Sequence, residues 1–144
     1  MRLRLQFPPD PDHARKLADT VVEATKRIDG IALDYLPESL NAVDTIICRM
    51  RERGSQSEQM QETLFSFGCY VGEVLVASFG GSWLLPAQSS IPKKMLPYFP
   101  FMIVQTPRGM VWNPIGKVFK LFDEGMGEST EYLFHVAKGR EETE

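Results

Sequence analysis

The sequence predicts an α+β fold in which a central apolar helix packs with other helices against a small antiparallel sheet. Three observations point that way. Apolar residues recur at helical spacing up to Gly81, short extended runs joined by a turn follow as far as Trp112, and helical spacing resumes after Asn113. Helices and strands therefore come in blocks and do not alternate as parallel α/β folds require. No internal repeat is visible. Residues 1–137 are expected to form one domain. Residues 138–144, charged and without apolar anchors, are expected to fray as a tail.

Leu3, Leu5 and Phe7 alternate with polar residues and predict a short strand, which Pro8 and Pro9 end. Asp10 before Pro11 marks a helix start, because a capping carboxylate accepts from unpaired amides and proline suits the first helical position. Leu17, Val21, Ala24 and Ile28 line one face of that helix, and Gly30 is placed to close it in a left-handed cap. A second helix begins near Pro37, carries the stripe Leu40, Val43, Ile47 and Met50, and stops at Gly54.

Ser55 and Glu58 have capping-box spacing and predict the start of the central helix, which Gly80 and Gly81 end. Met60, Leu64, Phe67, Val71 and Leu75 form its main seam. Phe65, Gly68, Gly72, Val76 and Phe79 widen the apolar arc past half the circumference, so other elements must cover most of it. Gly68 and Gly72 lie four apart, and each costs about 1 kcal/mol relative to alanine inside a helix. A close approach by a neighbouring element is the expected compensation.

Beyond this helix, Ser82 to Leu85 reads as a strand, followed by a long loop. Phe101 to Gln105 and Met110 to Trp112 read as two further strands, joined by a turn at Thr106-Pro107-Arg108-Gly109. Asn113-Pro114 repeats the cap-and-proline signal. It opens a helix to about Glu124 that buries Ile115, Val118, Phe119 and Phe122. A last helix from Ser129 is expected to bury Tyr132, Leu133 and Val136.

Composition excludes several function classes. The 144 residues carry a net charge of -3, and no long Lys/Arg cluster supplies the basic patch that nucleic acid demands. Arg49, Arg51 and Arg53 fall at a helix end, where they complement the dipole. No stretch reaches the roughly 18 uncharged apolar residues of a membrane span. The N-terminus lacks a signal-peptide apolar run, and Cys48 and Cys69 make no disulfide framework, so a cytoplasmic location is expected.

Candidate sites are few. Between Glu62 and Lys93 the only charged side chain is Glu73, on the helix face opposite the main seam. It belongs either to a narrow solvent-facing stripe or to a partly covered carboxylate whose natural partners are Lys117, Lys120 and Arg108. The four His and Cys residues, His13, His135, Cys48 and Cys69, show no metal-motif spacing, and no metal or cofactor is expected. No nucleophile elbow is present, and Gly116-Lys117 lacks the rest of a phosphate loop. An anion at the helix start from Asn113 to Lys117 stays open as an alternative to a solvated lysine.

The Pro86 to Pro100 loop is the stronger functional candidate. Loops of this length inside a compact domain often bind something. It carries Ile91, Met95, Leu96, Tyr98 and Phe99 beside Lys93 and Lys94, and Trp83 and Trp112 bracket it. These side chains either form an interaction surface or close the open face of the sheet.

Three segments carry a resemblance: Leu33-Asp34-Tyr35-Leu36-Pro37-Glu38-Ser39-Leu40; Gly68-Cys69-Tyr70-Val71-Gly72-Glu73-Val74 with Gly80-Gly81-Ser82-Trp83; and Asn113-Pro114-Ile115-Gly116-Lys117-Val118. Together they resemble small bacterial proteins of uncharacterised, domain-of-unknown-function families. That resemblance implies a bacterial α+β domain and brings no reaction, cofactor or catalytic residue.

The residues lead to a non-catalytic module that binds another protein through the Trp83–Trp112 region, as an accessory or immunity-type factor. The candidate binding residues are Glu73, Trp83, Tyr98, Phe99, Trp112 and Lys117. The alternative is a small-molecule or anion site, open to enzymatic use, built around Glu73, Trp83, Trp112 and Lys117. A purely structural domain is the third reading.

Overall fold

A computed structural model describes residues 1–143. Five helices and three short strands follow one another: α1 (Ala14–Asp29), α2 (Leu40–Glu52), α3 (Ser57–Phe79), β1 (Ser82–Leu84), β2 (Ile103–Gln105), β3 (Val111–Trp112), α4 (Pro114–Glu124) and α5 (Thr130–Glu141). The strands form one antiparallel sheet in the order β1-β2-β3. Trp83 faces Val104 across one ladder and Val104 faces Trp112 across the next, so the three share a face. The α+β class is as the block order predicts.

The central helix is the spine. Every residue from Thr63 to Gly72 is buried, because α1 and α4 pack along α3 and the sheet closes above its second half. Gly68 and Gly72 have the compensation that their helix cost demands. A methyl group on Gly68 would lie 2.5 Å from the Ile115 Cα of α4, and one on Gly72 would lie 2.0 Å from the Trp83 ring. Only glycine lets these elements come so close.

Several ends follow from local chemistry. Asp10 accepts from the His13 amide ahead of a three-ten turn at Pro11–His13, and Gly30 closes α1 at φ +67. Asn113 accepts from the Gly116 amide with Pro114 in the first helical position of α4. Ser129 caps α5 by accepting from Tyr132 N.

Other expectations are corrected. Residues 1–7 form no strand. The Leu3 amide donates to Thr63 Oγ1 (2.7 Å) and the Leu5 amide to Glu62 Oε1 (2.9 Å), so the alternation is real but its partner is a helix, not a strand edge. The capping box fails because the cap falls at Gln56, one residue late, and Gln56 makes no side-chain cap bond. Ile28 is 53% exposed, and the buried residues in the last turns of α1 are Ala24, as expected, and Thr25. In α5 the buried face is Thr130, Phe134 and Ala137, while Tyr132 is 62% exposed. The helix also continues through residues 138–141, where a frayed tail is expected; residue 144 lies outside the described residues.

Two polar contacts, both distant in sequence, explain the rotation of α5. At its start, buried Asp44 of α2 accepts from Thr130 N (2.7 Å), Thr130 Oγ1 (2.6 Å) and Glu131 N (3.1 Å). At its end, Glu141 Oε2 accepts from Trp112 Nε1 (2.9 Å) and Thr106 Oγ1 (3.0 Å). Residues 130, 134, 137 and 141 recur at helical spacing, so fixing the two outer ones selects that face.

Candidate functional site

Glu73 is not a solvent-facing stripe. Its side chain is 11% exposed, accepts from Trp83 Nε1 at 2.8 Å, and lies 3.7 Å from the Arg15 guanidinium. Trp83 is brought there by β1 and by the flat surface of Gly72, one residue before Glu73 on α3. Arg15 arrives from the first turn of α1. It stacks on the Tyr35 ring at 3.9 Å and its Nε donates to Asp19 at 3.2 Å.

Tyr35 extends this network. It is the one non-glycine residue among those described with a left-handed backbone, at φ +64, a costly geometry for an aromatic residue. Its phenol donates to Asp19 Oδ1 at 2.5 Å, its amide donates to the Tyr70 hydroxyl at 2.9 Å, and its ring stacks on Tyr70 with centroids 4.8 Å apart. Burial and the bond to Asp19 hold the Tyr35 phenol well above its ordinary range. Burial also raises Tyr70, against the opposing pull of its bond to Ser39. The cluster therefore consists of groups that complete one another. Tyr35, a neutral donor to Asp19 and bonded through its amide to Tyr70, ties its segment to α1 and α3, while Glu73 accepts from Trp83 and faces Arg15, joining α3 to β1 and α1.

The other two members of the alternative site go elsewhere. Lys117 pairs with Glu128, in the three-ten turn Met126–Glu128 after α4, and not with Glu73. That contact holds the Glu128 carboxyl below the ordinary glutamate value. Trp112, though on the same sheet face as Trp83, gives its indole N–H to Glu141. The structure brings Glu73 and Trp83 together and ties Trp112 and Lys117 to other acids. The natural partners expected for Glu73, namely Lys117, Lys120 and Arg108, are replaced by Arg15.

The long loop is built differently. Three-ten turns at Pro86–Gln88 and Lys93–Tyr98 give it local order, and Ser90 N donates to Gln105 Oε1 at 3.0 Å to tie it to β2. Tyr98 is 73% exposed, while Phe99 is half-buried. Met95 (40%) and Leu85 (44%) are also open to solvent. At the foot of the loop lies an apolar groove of about 430 Å³. Leu85-Pro86 and Pro100-Phe101, the two ends of the loop, form its walls, and Leu5 of the N-terminal segment closes one side. Its floor is aromatic: Phe101 stacks on Phe119 at 4.9 Å and meets Phe65 edge-on at 6.1 Å. Gln61 and Glu62 are the only polar side chains among its lining residues.

Among the described residues, no group of three or more His, Cys, Asp or Glu side chains could hold a metal ion. Cys48 and Cys69 are free thiols, and burial pushes the Cys69 thiol up, away from the nucleophilic thiolate. No helix among the described residues is long and apolar enough to cross a membrane.

No family model, curated protein or solved structure matches this chain.

Sequence reasoning missed Arg15, Asp19, Tyr35 and Tyr70. The Arg15–Asp19 spacing of four is a readable helix pair, and Tyr35 lies in a segment singled out for another reason. Their convergence into one network, which meets Glu73 through Arg15, depends on the path of residues 31–36, which carries no periodic signal. The groove was equally invisible, since its walls come from five separate segments.

Proposed function

We propose that this chain is a non-catalytic protein-binding module whose contact surface is the Trp83–Trp112 region, centred on the Pro86–Pro100 loop and the groove at its foot. One observation carries the reading. One loop carries large apolar side chains that stand in solvent, Met95 and Tyr98, and the two ends of the same loop, with exposed Leu85, line an unfilled apolar groove. Buried aromatic anchors entering apolar pockets dominate protein interfaces, and a proline-rich loop loses little entropy when it docks. Prolines 86, 92, 97 and 100 stiffen this one.

The alternative of a small-molecule or anion site has thinner support. Glu73, Trp83, Trp112 and Lys117 are each bonded to internal partners, three of which (Arg15, Glu141 and Glu128) lie outside the proposed set. Two free cysteines fit a reducing cytoplasmic setting, and the accessory or immunity-type role follows from binding without chemistry. A bacterial family of small uncharacterised domains remains the resemblance that fits the three quoted segments.

Affinity capture with the intact chain, followed by calorimetry on the recovered and purified partner, tests the proposal. Tyr98→Ala/Phe99→Ala should weaken that partner by at least about tenfold. Equal affinity for both forms would overturn it.

A further inference from the structure

We infer that residues 1–6 are a releasable strap on α3, held chiefly by Glu62, and that its release opens the groove on the Leu5 side. The release concerns the contacts of one segment; its meaning as a gate rests on the binding-module reading.

The strap has few fastenings. Among the described residues, no backbone-to-backbone hydrogen bond involves residues 1–7. Thr63 Oγ1 accepts from the Leu3 amide at 2.7 Å and Glu62 Oε1 from the Leu5 amide at 2.9 Å, and the two acceptors are neighbours on α3. The third polar contact is again to Glu62, whose Oε2 lies 3.9 Å from Arg4 with both side chains open to solvent. An exposed pair at that distance holds little. Met1, Leu3 and Leu5 are only half-buried. Two hollows border the segment: the groove, at Leu5, and one of about 300 Å³ with Arg2 and Gln6 of the strap on its lining together with Thr20 and Ala24 of α1. A stretch with so few buried contacts opens locally far more readily than the helix beneath it.

The other end is fixed. Phe7 stacks on His13 with centroids 6.2 Å apart, and Lys16 Nζ lies 5.4 Å from the centre of the Phe7 ring. Pro8 and Pro9 follow and stiffen the chain there. The strap therefore swings about Phe7 and carries Leu5 off the groove while Pro9 stays. Glu62 joins the two events, because it lines the groove and holds the strap with the same carboxylate. By linkage, whatever binds the widened groove more tightly favours the released strap.

Hydrogen exchange of the full chain, read by mass spectrometry on the peptide spanning residues 1–7 and on peptides from α3, tests the strap. In the wild type, peptide 1–7 should exchange more slowly than an unstructured chain and faster than the buried run Thr63–Gly72. Glu62→Ala removes two of the three polar contacts and should speed peptide 1–7 about tenfold, with exchange of Thr63–Gly72 and the circular dichroism spectrum unchanged. Leu5→Pro removes the same amide donor without altering α3 and should also speed it. The neutral dye Nile red reports the groove. Its fluorescence should rise at least about twofold in Glu62→Ala, and adding Leu85→Glu, a charge in the groove wall, should cancel the rise. Peptide 1–7 unprotected in the wild type, or no faster in either strap variant, overturns the strap. Faster exchange without the dye response, or a response that survives Leu85→Glu, overturns the gate. Neither readout needs a partner, so a partner insensitive to Tyr98→Ala/Phe99→Ala overturns the binding-module reading and leaves the motion of the strap standing.

Discussion

Adding one methyl group to three of the glycines should have effects of different sign and cause. Gly68→Ala and Gly139→Ala both remove a glycine from a helix, which favours the folded state by up to about 1 kcal/mol each. At Gly139 the new methyl meets nothing within 4 Å, so that gain should appear as measured stability. At Gly68 it would lie 2.5 Å from the Ile115 Cα and 2.6 Å from Ile115 Cγ1. Ordinary contact begins at 3.4 Å, so α4 must move away by 3.4 − 2.5 = 0.9 Å, and a backbone atom cannot rotate aside. Overpacking of this kind costs about 1–3 kcal/mol, and the upper end applies where backbone is the obstacle. Net of the helix gain, Gly68→Ala should lose about 2 kcal/mol. Gly72→Ala tests the same reasoning against a side chain: the Trp83 ring must swing off, breaking its bond to Glu73, so indole burial should fall together with stability. Urea titration followed by tryptophan fluorescence and circular dichroism reads all three. A Gly68→Ala protein as stable as the wild type would refute the account of α3–α4 packing.

Three other outcomes follow from the polar contacts. Asp44→Ala leaves three donors at the start of α5 without their acceptor and should cost about 2–3 kcal/mol in urea, with Asp44→Asn intermediate; a loss below about 0.5 kcal/mol would contradict the cap. Glu73→Ala should destabilise by about 1–2 kcal/mol and speed hydrogen exchange at the Trp83 indole, whereas Glu73→Gln keeps an acceptor and should retain most of the protection; equal exchange in both would count against the bond. The Lys117–Glu128 contact lowers the Glu128 carboxyl in the folded state, so its contribution is present above the ordinary value of 4.5 and disappears as pH falls through the lowered folded value. The stability gap between wild type and Lys117→Met should therefore close between pH 7 and strongly acidic conditions, and a gap independent of pH would exclude the pair as its source.

What could be read in advance was whatever has a period or a local chemical cause. The seam of α3, the stripes of α2 and α4, the cap at Asn113 and the turn before Gly109 all depend on residues within a few positions of one another. The need for a close neighbour at Gly68 and Gly72 was readable too, because a helix does not carry two such glycines without a return. The errors have a common origin. Leu3, Leu5 and Phe7 alternate as a strand would, but alternation reports a half-buried extended chain and not what lies beside it; here the neighbour is Thr63 and Glu62 of a helix. In α5, two apolar faces compete, and the choice is made by Asp44 from 86 residues upstream and by Trp112 from 29 residues upstream. Long-range polar contacts have no signature in the segments they orient.

The same distinction bears on where function should be sought. A single acid in the middle of an apolar helix looks like a reactive group until its neighbours are known. Glu73 has an indole donor and a guanidinium, Lys117 has Glu128, and Trp112 has Glu141. Each of these contacts joins segments that the hydrophobic core alone leaves loosely oriented: β1 to α3, α4 to the turn that follows it, and β3 to α5. Buried polar groups satisfied in this way fix register and orientation, and displacing any partner would strand the other. A ligand at Glu73 would have to replace the Trp83 bond before gaining anything. A partner at the Pro86–Pro100 loop faces no such cost, because Tyr98, Met95 and the floor of Phe65, Phe101 and Phe119 exchange water for apolar contact with nothing to break. That difference in cost favours the loop and its groove over the conspicuous carboxylate as the working surface of this protein.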